Sequence, residues 1–170
     1  MGSRSDELFK DFRDDHIVLG RGFGKISECL RAGDLERAEE AARAVDRDAG
    51  AHIAFEEKVF YPKLIDLLGE EEVARLYDEH KIGLAVIMTL TSMRPNERPG
   101  RQTIEVLLAD SETMEQHIAE CGELFHALAR LPEVERVELL RHLRHWRAMG
   151  PSWHELQSTE QRIFQRNSPE

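Results

Sequence analysis

With 170 residues, 23 Lys+Arg against 33 Asp+Glu and a formal net charge of -10, the chain has the size of one domain and lacks the clustered cationic surface that phosphate binding requires, so nucleic acid is not expected as a partner. Its apolar runs fall far short of the ~20 residues needed to cross a bilayer and residues 1–6 contain no signal-peptide core, so no membrane partner and a cytoplasmic location are expected. Hydrophobic residues at 41% support a folded core without disulfide staples, and two cysteines, Cys29 and Cys121, are too few for a secreted framework and fit a reducing compartment.

Strand signals are nearly absent, and a 3.6-residue period runs through four long segments and a shorter fifth. Leu8, Phe12, His16, Leu19, Phe23, Ile26 and Leu30 form one stripe of a first helix ending near Gly33, after which Asp34 is placed to cap the next. The second stripe runs from Ala38 through His52, Glu56, Phe60 and Leu64 to a stop at Gly69. The third passes through Val73, Leu76, His80, Ile87 and Leu90 and ends at Arg94-Pro95-Asn96, with Pro99-Gly100 completing the break. The fourth carries Ile104, Leu107, Met114, His117, Cys121, Leu124 and Leu128; Pro132 then separates a short amphipathic helix with Val137, Leu140 and Trp146. Long helices with short turns predict an all-α, up-down-up-down four-helix bundle with an additional short C-terminal helix packed outside it. The expected organisation is a single domain over 1–170, with the bundle at about 5–130, the extra helix at 132–149 and residues 150–170 as a tail without assigned structure.

Each long helix carries one histidine on its buried stripe. From the Gly33 turn, His16 lies 17 residues back and His52 19 forward; from the Pro95–Gly100 break, His80 lies 15 back and His117 17 forward. At about 1.5 Å rise per residue these mismatches amount to only ~3 Å, so all four imidazoles are expected at one level. The spacing His52-x-x-x-Glu56 puts two ligands on one helix face, one turn apart. A glutamate in an apolar stripe is costly unless paired, and a polyvalent cation is an efficient partner; imidazole with carboxylate suits iron, manganese or zinc. The alternative is a set of core histidines hydrogen-bonded to neighbours.

An internal repeat accompanies the layer. His52-Ile-Ala-Phe-Glu56-Glu-Lys-Val-Phe60 aligns without gaps with His117-Ile-Ala-Glu-Cys121-Gly-Glu-Leu-Phe125, and the upstream pairs Asp15-His16 and Glu79-His80 precede these stretches by 36 and 37 residues. Two hairpins related by a pseudo-twofold axis would place a two-metal site on that axis.

This pattern, over roughly residues 8 to 130, resembles the hemerythrin-like HHE cation-binding family. The resemblance implies a non-haem, oxygen-bridged di-iron centre with His16, His52, His80 and His117 as terminal ligands and Glu56 as bridging carboxylate. It also implies chemistry with dioxygen, nitric oxide or peroxide, whether as carrier, sensor or oxidase/peroxidase-type enzyme; a metal-stabilised regulatory bundle binding a protein partner is the other class, and no electron donor is indicated. Two features depart from the oxygen-carrier pattern: Cys121 stands where a second carboxylate is expected, and Leu76 and Leu84 flank His80 where a further histidine would be. With Cys121 as a thiolate ligand, about three of twelve octahedral positions stay open, against about one in the carrier, which suits redox turnover or sensing better than reversible carriage. Cys121 could instead be a nearby redox switch or an inert filler, with Glu120 or Glu123 supplying the carboxylate; a disulfide to Cys29 is opposed by a separation of about 25 Å along the helices.

The stretch Gly20-Arg-Gly22-Phe-Gly24-Lys25 lies within helical periodicity and is not a phosphate loop. Gly20 and Gly83, one turn from His16 and His80, are candidates for leaving room for a small ligand, with loose packing as the alternative. Tyr61 and Tyr77 are candidates for a donor beside the centre or for packing. His142 and His145, among Arg141, Arg144 and Arg147, read as a solvated face.

Overall fold

The computed structural model describes residues 4–94, 97–120 and 122–156, and no strand occurs among them. The helices are α1 (Arg4–Arg31), α2 (Leu35–Phe55), a π-helical turn (Glu56–Phe60), α3 (Tyr61–Leu68), α4 (Glu70–Thr91), α5 (Arg101–Glu120), α6 (Gly122–Arg130) and α7 (Glu133–Met149). α2, the π turn and α3 follow one another directly and make up the second rod of the bundle. Each rod packs on two neighbours around a square: α1 on α2 and α5, α4 on α2 and α5. α7 lies outside, against α1 and α2. None of the described helices is long and apolar enough to cross a membrane.

The first turn is built from local chemistry. Gly33, at φ +70°, closes α1 in the left-handed region, with Asp34 N donating to Cys29 O at 2.9 Å, and the Asp34 carboxylate then caps α2 by accepting from Arg37 N at 3.1 Å. The π turn redirects the local hydrogen bonds. Tyr61 N donates to Glu56 O, five residues back, while Pro62 has no N–H to offer Glu57 O; the Tyr77 hydroxyl serves that carbonyl instead, at 2.7 Å. An unbroken α-helix would set Tyr61 about 140° round from Glu56. The wider turn keeps Glu56, Phe60 and Tyr61 all buried.

Two apolar clusters fill the bundle. One holds Leu8, Phe12, Phe55, Phe60, Tyr61, Leu76 and the α7 leucines 139, 140 and 143; the other holds Leu19, Phe23, Ile26, Ile53, Leu84, Met114 and Trp153. His16, His52, Glu56, His80 and His117, each no more than 7% exposed, sit at the boundary between them. Burial of apolar surface on both sides, about 1.5–3 kcal/mol per large side chain, therefore holds a polar layer at mid-height and shields it from water.

Candidate metal centre

Four separate helices deliver the four imidazoles: α1 brings His16, α2 His52, α4 His80 and α5 His117, while Glu56 opens the π turn. The ligand-type atoms fall into two groups, His16–His52–Glu56 and Glu56–His80–His117, and within each they lie within 4.8 Å of one another. Glu56 belongs to both. Its Oε1 is 3.3 Å from His52 Nε2 and 3.7 Å from His16 Nε2, and its Oε2 is 3.3 Å from His80 Nε2.

Every ring is fixed from behind through Nδ1. His16 Nδ1 donates to Phe12 O at 2.7 Å, His52 Nδ1 to Asp15 Oδ2 at 3.0 Å, His80 Nδ1 to Glu57 Oε1 at 2.9 Å and His117 Nδ1 to Glu79 Oε2 at 2.6 Å. With Nδ1 donating outward, each Nε2 faces the interior and is the nitrogen that ligates a metal once deprotonated. The two carboxylates that immediately precede ligand-type histidines, Asp15 and Glu79, thus each hold the histidine of the following repeat stretch. Each is itself paired with an arginine, Asp15 with Arg147 at 2.6 Å and Glu79 with Arg75.

Electrostatics bind the layer together. Burial works against charge on Glu56, yet His52 and His80 hold its carboxylate well below the usual range. Burial likewise opposes a proton on His52, but Glu56 and Asp15 lift that imidazole to about 9. His80 is raised against burial by Glu56 and Glu57. His16 is pushed down to about 4 by burial and by His52, and burial together with His80 lowers His117. The shared carboxylate therefore draws positive charge onto its nearest imidazoles, a demand that a cation answers directly. The donor set fits such a group: His52 Nε2 and Glu56 Oε1 are buried and make no hydrogen bond in spite of their proximity, and imidazole nitrogen with carboxylate oxygen suits a borderline divalent metal such as iron.

Of the residues singled out in the sequence, His16, His52, Glu56, His80 and His117 converge, and Cys121 lies outside the described residues. Glu120 is exposed, accepts from Gln116 Nε2 at 2.7 Å and faces Arg75, so it does not supply the missing carboxylate; the side chain of Glu123 lies outside the described set. The space at Gly83 is not an open path: a Cβ there would lie 2.8 Å from Met114 Cγ and from Trp153 Cη2, so the glycine admits protein side chains. At Gly20 a Cβ would sit 3.4 Å from Ile118. Arg144 and Arg147 are not a purely solvated face either, since they reach Glu7 and Asp11–Asp15 on α1 and tether α7.

Sequence reasoning misses two contributors, Glu57 and Trp153, and leaves a third, Tyr61, open. Glu57 was overlooked as the partner of His80 because, next to Glu56, it falls off the buried stripe. Tyr61, left open between packing and a polar role, is buried with its hydroxyl 3.0 Å from His80 Nε2. Trp153 lies in the unassigned tail, though Ser152-x-x-Glu155 is a helix-start signal that could have marked it.

A bundle whose helices converge four imidazoles on one shared carboxylate is a cation-binding helical bundle. The chain belongs to the hemerythrin family: the Hemerythrin HHE cation binding domain matches residues 7–148, a span that includes every one of the converging residues. Membership implies binding of a metal cation, typically iron. No curated protein and no solved structure matches the chain.

Proposed function

We propose that the chain is a cytoplasmic non-haem di-iron protein that binds and reduces a small oxidant of the dioxygen, nitric oxide or peroxide class. His16, His52 and Glu56 hold one iron; Glu56, His80 and His117 hold the other. The observation that carries this is the pair of three-donor groups sharing Glu56, with every ring oriented from behind. Iron bound there would supply one-electron steps to the oxidant. The apolar clusters above and below exclude bulk water. A cavity of about 10 Å³ among His16, Glu56, His80 and His117 matches the ~10–15 Å³ that one water-sized molecule requires. Reduction rather than reversible carriage is supported by the Tyr61 hydroxyl, a proton source beside His80.

Metal analysis with absorption spectroscopy on the purified chain tests the assignment. About two irons per chain are expected, with visible bands that respond to dioxygen or nitric oxide and vanish in Glu56→Ala. A colourless chain carrying stoichiometric zinc, inert to these oxidants, refutes it and leaves a metal-stabilised interaction bundle.

A further inference from the structure

The segment after α7 returns to the bundle, beyond the stretch that the family match covers. Gly150 turns the chain at φ +59°, Ser152 N donates to Glu155 Oε2 at 2.9 Å, and residues 153–156 are helical. Trp153 is 2% exposed. Its ring meets His80 edge-on at 6.0 Å and Phe23 at 6.3 Å between centroids, and it forms a wall of the cavity at the metal centre.

Two glycines on different helices accommodate this docking. A Cβ at Gly50 would lie 1.9 Å from the Pro151 carbonyl oxygen, and one at Gly83 2.8 Å from Trp153 Cη2. Outside the indole, His154 N and Nδ1 both bond the Asp46 carboxylate, at 2.9 and 2.6 Å. The indole is thus seated by absences on α2 and α4 and latched by α2, which distinguishes it from a tail lying loosely over a groove.

We infer that Trp153 sets the size of molecule that reaches the centre, admitting diatomics and hydrogen peroxide and excluding oxidants with an organic substituent. This rests on the di-iron assignment above. The cavity of about 10 Å³, the size of one water, leaves no space for an organic substituent. Benzene needs a cavity of the order of ~150 Å³, and removing an indole from a wall shared with Leu19, Phe23, Met114 and Ile118 opens apolar space of that order.

The test uses the full chain loaded with ferrous iron. Rapid-mixing absorption follows its oxidation by hydrogen peroxide and by cumene hydroperoxide; each ROOH accepts two electrons from two ferrous ions and two protons, breaking its O–O bond to give ROH and water. A single misplaced methylene already costs ~10–200-fold in a closed pocket, so the wild type should disfavour the aryl hydroperoxide at least ~100-fold. Trp153→Ala should shrink that gap at least ~10-fold. Gly50→Ala, which touches no ligand, should do the same by displacing Pro151, and it serves alone if Trp153→Ala does not fold. An independent readout needs no iron: with Trp146→Phe, Trp153 is the sole tryptophan, and its emission should resist acrylamide quenching until Gly50→Ala exposes it. If iron loads, hydrogen peroxide reacts and the gap is unchanged in the variants, the inference is overturned, as it is if Trp153 is freely quenched in the otherwise unaltered chain. If iron does not load, or no small oxidant reacts, metal analysis and the peroxide control show that the di-iron assignment has failed and takes this inference with it.

Discussion

The Nδ1 partners would make the two proposed metal positions unequal, and removing single charges behind the rings should expose the difference. Glu79→Gln and Asp15→Asn each preserve shape and a hydrogen-bond acceptor but delete the negative charge behind His117 and His52. Losing such a partner lowers metal affinity ~10–100-fold, or about 1.4–2.7 kcal/mol. Glu79 stands 2.6 Å from its imidazole with 14% of its side chain exposed, Asp15 3.0 Å away with 22% exposed. Both carboxylates give their other oxygen to an arginine, so that factor cancels, and the closer, drier Glu79 belongs at the upper end of the range. His80 adds a second carboxylate partner, Glu57, whereas His16 has only the Phe12 carbonyl, so the His80/His117 position should be the tighter. Competition with a graded series of chelators should therefore resolve two steps. Glu79→Gln weakens the tighter step by ~30–100-fold and Asp15→Asn the weaker one by ~10-fold. Equal shifts in both variants, or losses in the opposite steps, would refute the assignment of carboxylates to positions.

Iron binding should release protons. His52 at about 9, above its ordinary 6.5, stabilises the iron-free fold fully below pH 6.5 and loses that contribution as pH rises through about 9. Ligation of its Nε2 expels the proton, so about one to two protons per chain, counting the raised His80, should appear at pH 7, and affinity should climb with pH. Calorimetry in buffers of different ionisation enthalpy counts them, and zero release contradicts the charge pattern. Phe12, fully buried, packs its ring 4.4 Å from His16, 5.0 Å from His52 and 5.5 Å from Phe60, so Phe12→Ala should cost ~3–5 kcal/mol in urea unfolding; a loss under ~1 kcal/mol contradicts that packing. Thiolate ligation by Cys121 requires an intense sulfur-to-iron band that Cys121→Ser abolishes. A spectrum indifferent to that change but altered by Tyr61→Phe assigns the further donor to the tyrosine hydroxyl.

The rods and the level of the four imidazoles were legible because both rest on quantities that sequence carries directly: the 3.6-residue period of burial, and a constant rise counted from Gly33 and the Pro95–Gly100 break. What stands behind the rings was not. Asp15 and Glu79 were visible as the residues before His16 and His80, yet one residue turns the helix ~100°, and only the packing of adjacent rods shows that such a side chain meets the histidine on the next one. The π turn has no signature in the period, and Trp153 acts through a segment too short to display one. Its position had to come from the close approaches at Gly50 and Gly83.

The internal repeat is obeyed where orientation is concerned and broken where donors are supplied. Asp15 holds His52 across 37 residues and Glu79 holds His117 across 38, each with its arginine, so the twofold relation extends outward from the rings. It stops at the stretch from Glu56 to Tyr61. There the first hairpin presents its shared carboxylate, the Glu57 partner of His80 and the Tyr61 hydroxyl beside His80, all directed at the second hairpin's imidazole. An ordinary helix would spread positions 56, 57 and 61 over about 140°. The extra residue in the π turn narrows that spread, so the chemical inequality of the two hairpins follows from local winding at Glu56–Phe60.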